Sequence, residues 1–149
     1  MTSRPATIEL ETRSAREVVD ITARVDALLG GAPDGSCHLF LRHTTAGLMV
    51  LTGEAGVPED IMDILQSLVP ERAYRHDSAA HVGAHFLSGL VGPSVHVPVR
   101  GGRLALGEFQ RIVLRRARRC RRRAERIREK FEGPRRREIE LRLLTERGT

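Results

Sequence analysis

SVHVPVRGGRLAL, residues 94–106, sets the fold class of this chain. Val95 to Val99 and Leu104 to Leu106 are short apolar runs, and a glycine pair between two such runs predicts a hairpin turning at Gly101-Gly102. Hairpins pair their strands antiparallel. Downstream, Phe109 to Leu114 and Ile139 to Leu144 read as further strands. Upstream, Cys37 to Leu41 and Leu48 to Leu51 do the same, and in Thr7 to Thr12 the residues Ile8 and Leu10 alternate with polar neighbours. Helical spacing is scarcer. Ser14 with Glu17 reads as a capping box opening a helix whose face is Val18, Ile21, Val25 and Leu28, stopped by Gly30-Gly31. Pro58 suits the first turn of a second helix, where Glu59 and Asp60 favour the dipole and Ile61, Ile64, Leu65 and Leu68 make the apolar face. Val82 to Val91 predicts a short third helix. Strands outnumber helices, so the expectation is an α+β fold: an antiparallel β-sandwich with two or three helices.

At 149 residues the chain has the length of one domain with one core, here residues 1–149. Its formal charge is +6, but the basicity is local. Residues 111–137 hold 14 bases and three acids, leaving 11 bases and 16 acids elsewhere. Arginine density peaks in Arg115 to Lys130, which separates two predicted strands and reads as a basic insertion. Ala117, Cys120, Ala124, Ile127 and Phe131 fall three or four apart within and just after it, a narrow apolar stripe on a basic helix. Such a segment can hold RNA, DNA or another polyanion through phosphates alone. Aromatic residues make up 3% of the chain, too few for a surface that stacks bases. No apolar run approaches the roughly 20 residues that span a bilayer, and the polar start lacks a signal-peptide core, so a cytoplasmic protein without a membrane partner is expected. Cys37 and Cys120 form no CxxC pair and are expected to stay thiols.

Phosphate-loop, dinucleotide, serine-elbow and HExxH patterns are all missing. Histidines carry what chemistry there is. Of six, His43, His76, His81 and His85 lie in segments poorly explained as plain core, and histidine serves both metal ligation and proton transfer near neutral pH. His81 and His85 are four apart and share a face if their stretch is helical. His38 and His96 sit in strand-like runs without a nearby acid and read as ordinary sheet residues. Glu54, Glu59, Asp60 and Asp63 offer carboxylates around the second helix, a position that also serves dipole stabilisation.

In order along the chain, His43-Thr44-Thr45-Ala46-Gly47-Leu48, Tyr74-Arg75-His76-Asp77, His85 seven before Gly92, and Pro98-Val99 leading to Gly107-Glu108-Phe109-Gln110 resemble the YjbQ-like family, also called the secondary thiamine-phosphate synthase family. Gly133-Pro134-Arg135 with Arg137 is similar to its closing pattern. The resemblance covers nearly the whole chain. It departs at Thr52, His81, Glu108-Phe109 and the arginine-rich segment. The resemblance implies a homotrimer and a pocket of three histidines, here His43, His76 and His85, that holds a divalent metal ion. Three imidazoles suit a catalytic zinc with one position open, and His81 is the alternative third ligand. Glu54 and Asp60 match acids of the family and Gln110 its glutamine, implying carboxylates that orient a ligand ring or take a proton from bound water, and a hydrogen bond to substrate. The activity implied is that of a thiamine-phosphate synthase-like transferase, joining a pyrimidine diphosphate to a thiazole phosphate. Another metal-dependent hydrolase or transferase acting on a small phosphorylated substrate is the alternative, and a polyanion-binding module using the basic insertion is a third reading.

Overall fold

The structure, a computed structural model, describes residues 2–13, 17–76, 79–116 and 135–145. Among them the order is β1 (Thr2–Thr12), β2 (Glu17–Asp20), α1 (Thr22–Leu29), β3 (Gly35–Leu41), β4 (Ala46–Thr52), α2 (Val57–Ser67), α3 (Ala79–Val91), β5 (Ser94–Arg100), β6 (Arg103–Leu104), β7 (Gln110–Arg116) and β8 (Arg135–Thr145). The predicted hairpin is β5–β6, with Val99 opposite Leu104. Its turn needs glycine twice, because Gly101 and Gly102 have φ of 55° and 75°. All pairing is antiparallel, in a five-stranded sheet of order β1-β8-β3-β5-β6 and a three-stranded sheet of order β2-β7-β4. The fold is therefore α+β, with two antiparallel sheets and three helices among the described residues.

Alternation explains how the sheets meet. Ile8 and Leu10 of β1, Leu39 and Leu41 of β3, Val97 and Val99 of β5, and Ile139, Leu141 and Leu143 of β8 share one buried cluster with Leu48, Ile112 and Leu114 of the smaller sheet. The opposite face of the larger sheet is polar, carrying ion pairs of Arg42 with Glu138 and Glu140 and of Arg136 with Glu9. A second cluster, Met62, Val69 and Leu87, joins the two helices α2 and α3, with Val18 of β2 packed against it.

Three expectations need correction. The first helix does not start at a Ser14–Glu17 capping box: Ser14 lies outside the described residues, and Glu17 to Asp20 is strand β2, paired with β7. Edge pairing overrides the helical spacing of Val18 and Ile21. The helix begins at Thr22, whose N–H donates to Asp20 Oδ1 at 2.9 Å, and it buries Val25 and Leu29 while leaving Leu28 exposed. Strand β1 runs five residues further towards the N-terminus than expected and contains Pro5, which an edge strand tolerates. Strand β7 continues through Arg115 and Arg116, both buried, so the basic stretch expected from Arg115 starts as sheet. The remainder of that stretch, Cys120 included, lies outside the described residues. Cys37 is a buried free thiol, pushed up to about 12 by burial and then by the charge of Asp26. Among the described residues no helix is long and apolar enough to cross a membrane.

Candidate functional site

At its end β3 leaves the larger sheet beside β8: Leu41 pairs with Ile139, and the Arg42 N–H donates to the Glu138 carbonyl at 3.1 Å. His43, Thr44 and Thr45 then carry the chain into β4 of the smaller sheet. Within this turn the N–H groups of Thr44 and Thr45 donate to Nδ1 of His43, at 3.0 and 3.2 Å. An accepting Nδ1 places the proton of a neutral ring on Nε2, so His43 offers a donor on its far side.

Helix α3 lies against β4 at the same end. A Cβ on Gly47 would sit 2.7 Å from Val91 Cγ1 and 2.9 Å from the Gly92 carbonyl, so this contact requires glycine. Two hydrogen bonds fix it, Ser88 Oγ to the Ala46 carbonyl at 2.6 Å and the Leu48 N–H to the Gly92 carbonyl at 3.0 Å. Helical spacing then sets His81 and His85 one turn apart with ring centroids at 4.9 Å, and His76, from the preceding segment, stands 5.5 and 5.9 Å from them. One ring nitrogen from each of His76, His81 and His85 lies within 4.8 Å of the others. His85 Nδ1 is 2.9 Å from the Thr44 carbonyl. Because a carbonyl only accepts, His85 donates there, and in the neutral tautomer this leaves the lone pair on Nε2, as a metal-binding imidazole needs.

His43 is held down to about 4, first by burial and then by the charges of Arg137, Arg135, Arg116 and His85. It is therefore neutral at physiological pH. In chelator-treated protein, NMR should find the His43 ring titrating near pH 4; a midpoint near the ordinary 6.5 would refute this. The stability consequence has a definite sign. Between about 6.5 and 4 the unfolded chain binds a proton at this residue and the folded one does not, so stability falls as pH drops through that window.

Those arginines belong to the site. In β8 the buried positions are Arg137, Ile139, Leu141, Leu143 and Thr145, a period of two that carries the inward row on to Arg137. In β7 the inward row is Ile112, Leu114 and Arg116. Both arginines reach Thr12: Arg116 Nη1 donates to its carbonyl at 3.1 Å and lies 3.3 Å from Oγ1, and Arg137 Nε donates to Oγ1 at 3.2 Å. Sequence reading passed over Arg116 as part of a basic run and placed Arg137 in a closing motif without a role, although the alternation in β8 signals that it is buried.

Glu54, Asp60 and Gln110 lie elsewhere. Gln110 pairs with Thr52 at the opposite end of β4 from Ala46, six residues or about 20 Å along the strand. Its Oε1 accepts from the Gly107 N–H at 2.8 Å, and with Thr52, Phe109 and neighbours it lines an open cleft. Glu54 accepts from Thr52 Oγ1 at 2.9 Å, and Asp60 is exposed on the first turn of α2. Within one chain these three stand apart from His43 and its turn. Asp77 lies outside the described residues.

The family model described as UPF0047 protein YjbQ-like matches residues 6–146. A UPF0047 protein of Archaeoglobus fulgidus is 34% identical over 139 residues, covering 92% of this chain and 98% of that one. Another, from Mycobacterium bovis, is 43% identical over 102 residues, 66% of this chain and 79% of its own. Among solved structures, a hypothetical protein from Aeropyrum pernix K1 superposes with a TM-score of 0.78 at 29% identity, covering 96% of this chain and 99% of that one.

Proposed function

Since the chain belongs to the YjbQ-like UPF0047 family, we propose that it is a metal-dependent enzyme acting on a small phosphorylated substrate, with His76, His81 and His85 as ligands. The observation that carries this is the His85 Nδ1 contact to the Thr44 carbonyl, beside ring nitrogens close enough to share one ion. The donor set fits zinc, since three neutral imidazoles make a catalytic rather than a structural site. This set differs by one residue from His43, His76 and His85: the backbone donors at Nδ1 make His43 a hydrogen-bond donor through Nε2. Bound there, a divalent ion supplies positive charge that stabilises a departing pyrophosphate. His43, neutral and in the turn whose Thr44 carbonyl meets His85, donates to a phosphate oxygen.

The reaction proposed is the thiamine-phosphate synthase-like transfer, in which a pyrimidine group leaves its diphosphate for a thiazole phosphate. Purified protein should contain about one equivalent of zinc, and chelation should remove both the ion and this turnover. Metal-free protein with undiminished turnover would overturn the metal role, and zinc-loaded protein without turnover would overturn the reaction.

A homotrimer belongs to this reading. Ile64 on α2 and Leu68 at its C-cap, and Phe86 and Leu90 on α3, are exposed, apolar and four apart, the kind of surface that a second copy covers. Glu54, Asp60 and Gln110 then serve a histidine site only from a neighbouring copy. Light scattering at micromolar concentration should give three times the chain mass; a monomer mass would remove this part.

A further inference from the structure

The inward rows of the two sheets are apolar along most of their length and then each ends in an arginine. Arg137 is 0% exposed and Arg116 4%, and the two converge on the single residue Thr12. Nη1 and Nη2 of Arg137 are buried without a hydrogen-bond partner among the described residues. A buried guanidinium that spends only Nε on the protein has a strong, unmet demand for an acceptor. Continuing the β3–β8 register past Leu41–Ile139 and the Arg42–Glu138 bond brings His43 opposite Arg137. On the other side Ala46, the first residue of β4, pairs with Arg116. The His43–Thr45 turn thus spans the end of the core with one buried arginine at each foot, and it is exposed at Thr44.

We propose that Arg137 and Arg116, with the Nε2–H of His43, form an oxyanion seat beside the histidine cluster, built for a phosphate group. An oxyanion supplies what the described residues do not: several acceptor oxygens for Nη1 and Nη2 of Arg137, and negative charge beside its guanidinium. The same crowding of cations lowers Arg137 to about 10, through burial first and then the charges of Arg116 and Arg135, which leaves it charged at neutral pH. The seat deepens the phosphorylated-substrate reading, yet it needs no metal, and the two can be tested apart.

The test is titration of chelator-treated protein with inorganic phosphate at constant ionic strength, followed by calorimetry and by thermal melting, with chloride as control. Saturable phosphate binding and a melting temperature raised by phosphate alone are expected. Arg137→Met should weaken phosphate at least about tenfold, since charge-assisted hydrogen bonds are lost. In phosphate-free buffer that variant should melt at or above the parent temperature, because it removes a buried charge that has no counterion among the described residues. A melting temperature clearly below the parent's there would show that Arg137 is satisfied by the protein itself, and would overturn the seat. Should Arg137→Met fail to fold, the parent protein still decides: no saturable binding of phosphate overturns the proposal. Phosphate that binds only after zinc is restored also overturns it, placing the anion on the metal and leaving the metal reading intact. Binding that persists in protein unable to take up zinc supports the seat while the metal reading fails. Phenyl phosphate separates the two sources of the anion. Competition with inorganic phosphate marks a seat for a substrate's phosphate group, and phosphate binding without such competition marks a seat for the free ion.

Discussion

His85→Ala is expected to lower zinc affinity by about a hundredfold or more, the largest effect of any single substitution at the site. Partners that only orient a ligand already contribute about 10- to 100-fold, and this change deletes a ring nitrogen from the group of three together with the Thr44 contact that fixes its tautomer. His81→Ala and His76→Ala should follow within a similar range. His43→Ala separates the two possible ligand sets. With His43 as a donor rather than a ligand, its loss leaves about one equivalent of zinc bound, and a metal-free His43→Ala protein would return His43 to the ligand set. Competition against a chelating dye measures all four.

Gly47→Ala should cost about 1–3 kcal/mol of stability, the range for forcing a methyl group into filled space. The added carbon would meet Val91 and the Gly92 carbonyl at the end of α3, and the latter is backbone that has no rotamer to yield. Because α3 carries His81 and His85, displacing its end also loosens the histidine group, so zinc affinity should fall with stability. Gly89→Ala is the matched control: it lies in the same helix, a Cβ there meets nothing within 4 Å, and helix propensity favours alanine by about 1 kcal/mol. Urea denaturation of both variants gives the comparison. Equal stabilities would mean that the Gly47 contact is slack.

Where residue pattern and local backbone demand agreed, the fold was legible. Gly101-Gly102 between valine and leucine runs specified a hairpin, and Pro58 with the acids behind it specified the start of α2. Reading failed where distant pairing decides. Val18 and Ile21 fit a helical period as well as a strand, and only β7, more than ninety residues on, makes Glu17–Asp20 a strand. The histidine site was legible in part, since His81 and His85 need only a helix to meet, whereas His76 joins them through tertiary structure. Arg116 was hidden by its neighbours, and Arg137 was named in a motif but not read as buried: a run of arginines reads as solvated, and what turns these two inward is the pleat of strands whose bounds the composition obscures.

Thr12 has one more consequence. Arg116 donates to its carbonyl, and its Oγ1 donates to the Arg135 carbonyl at 3.3 Å, so the chain leaves β7 and re-enters at β8 within reach of the same residue. With both strand ends tied to one residue, an unstructured segment inserted between them would carry a loop-closure cost of about 0.6 kcal/mol for each doubling of its length. The junction is then a socket: a grafted segment would be held at its two feet by Thr12, and its cost would grow slowly with its size.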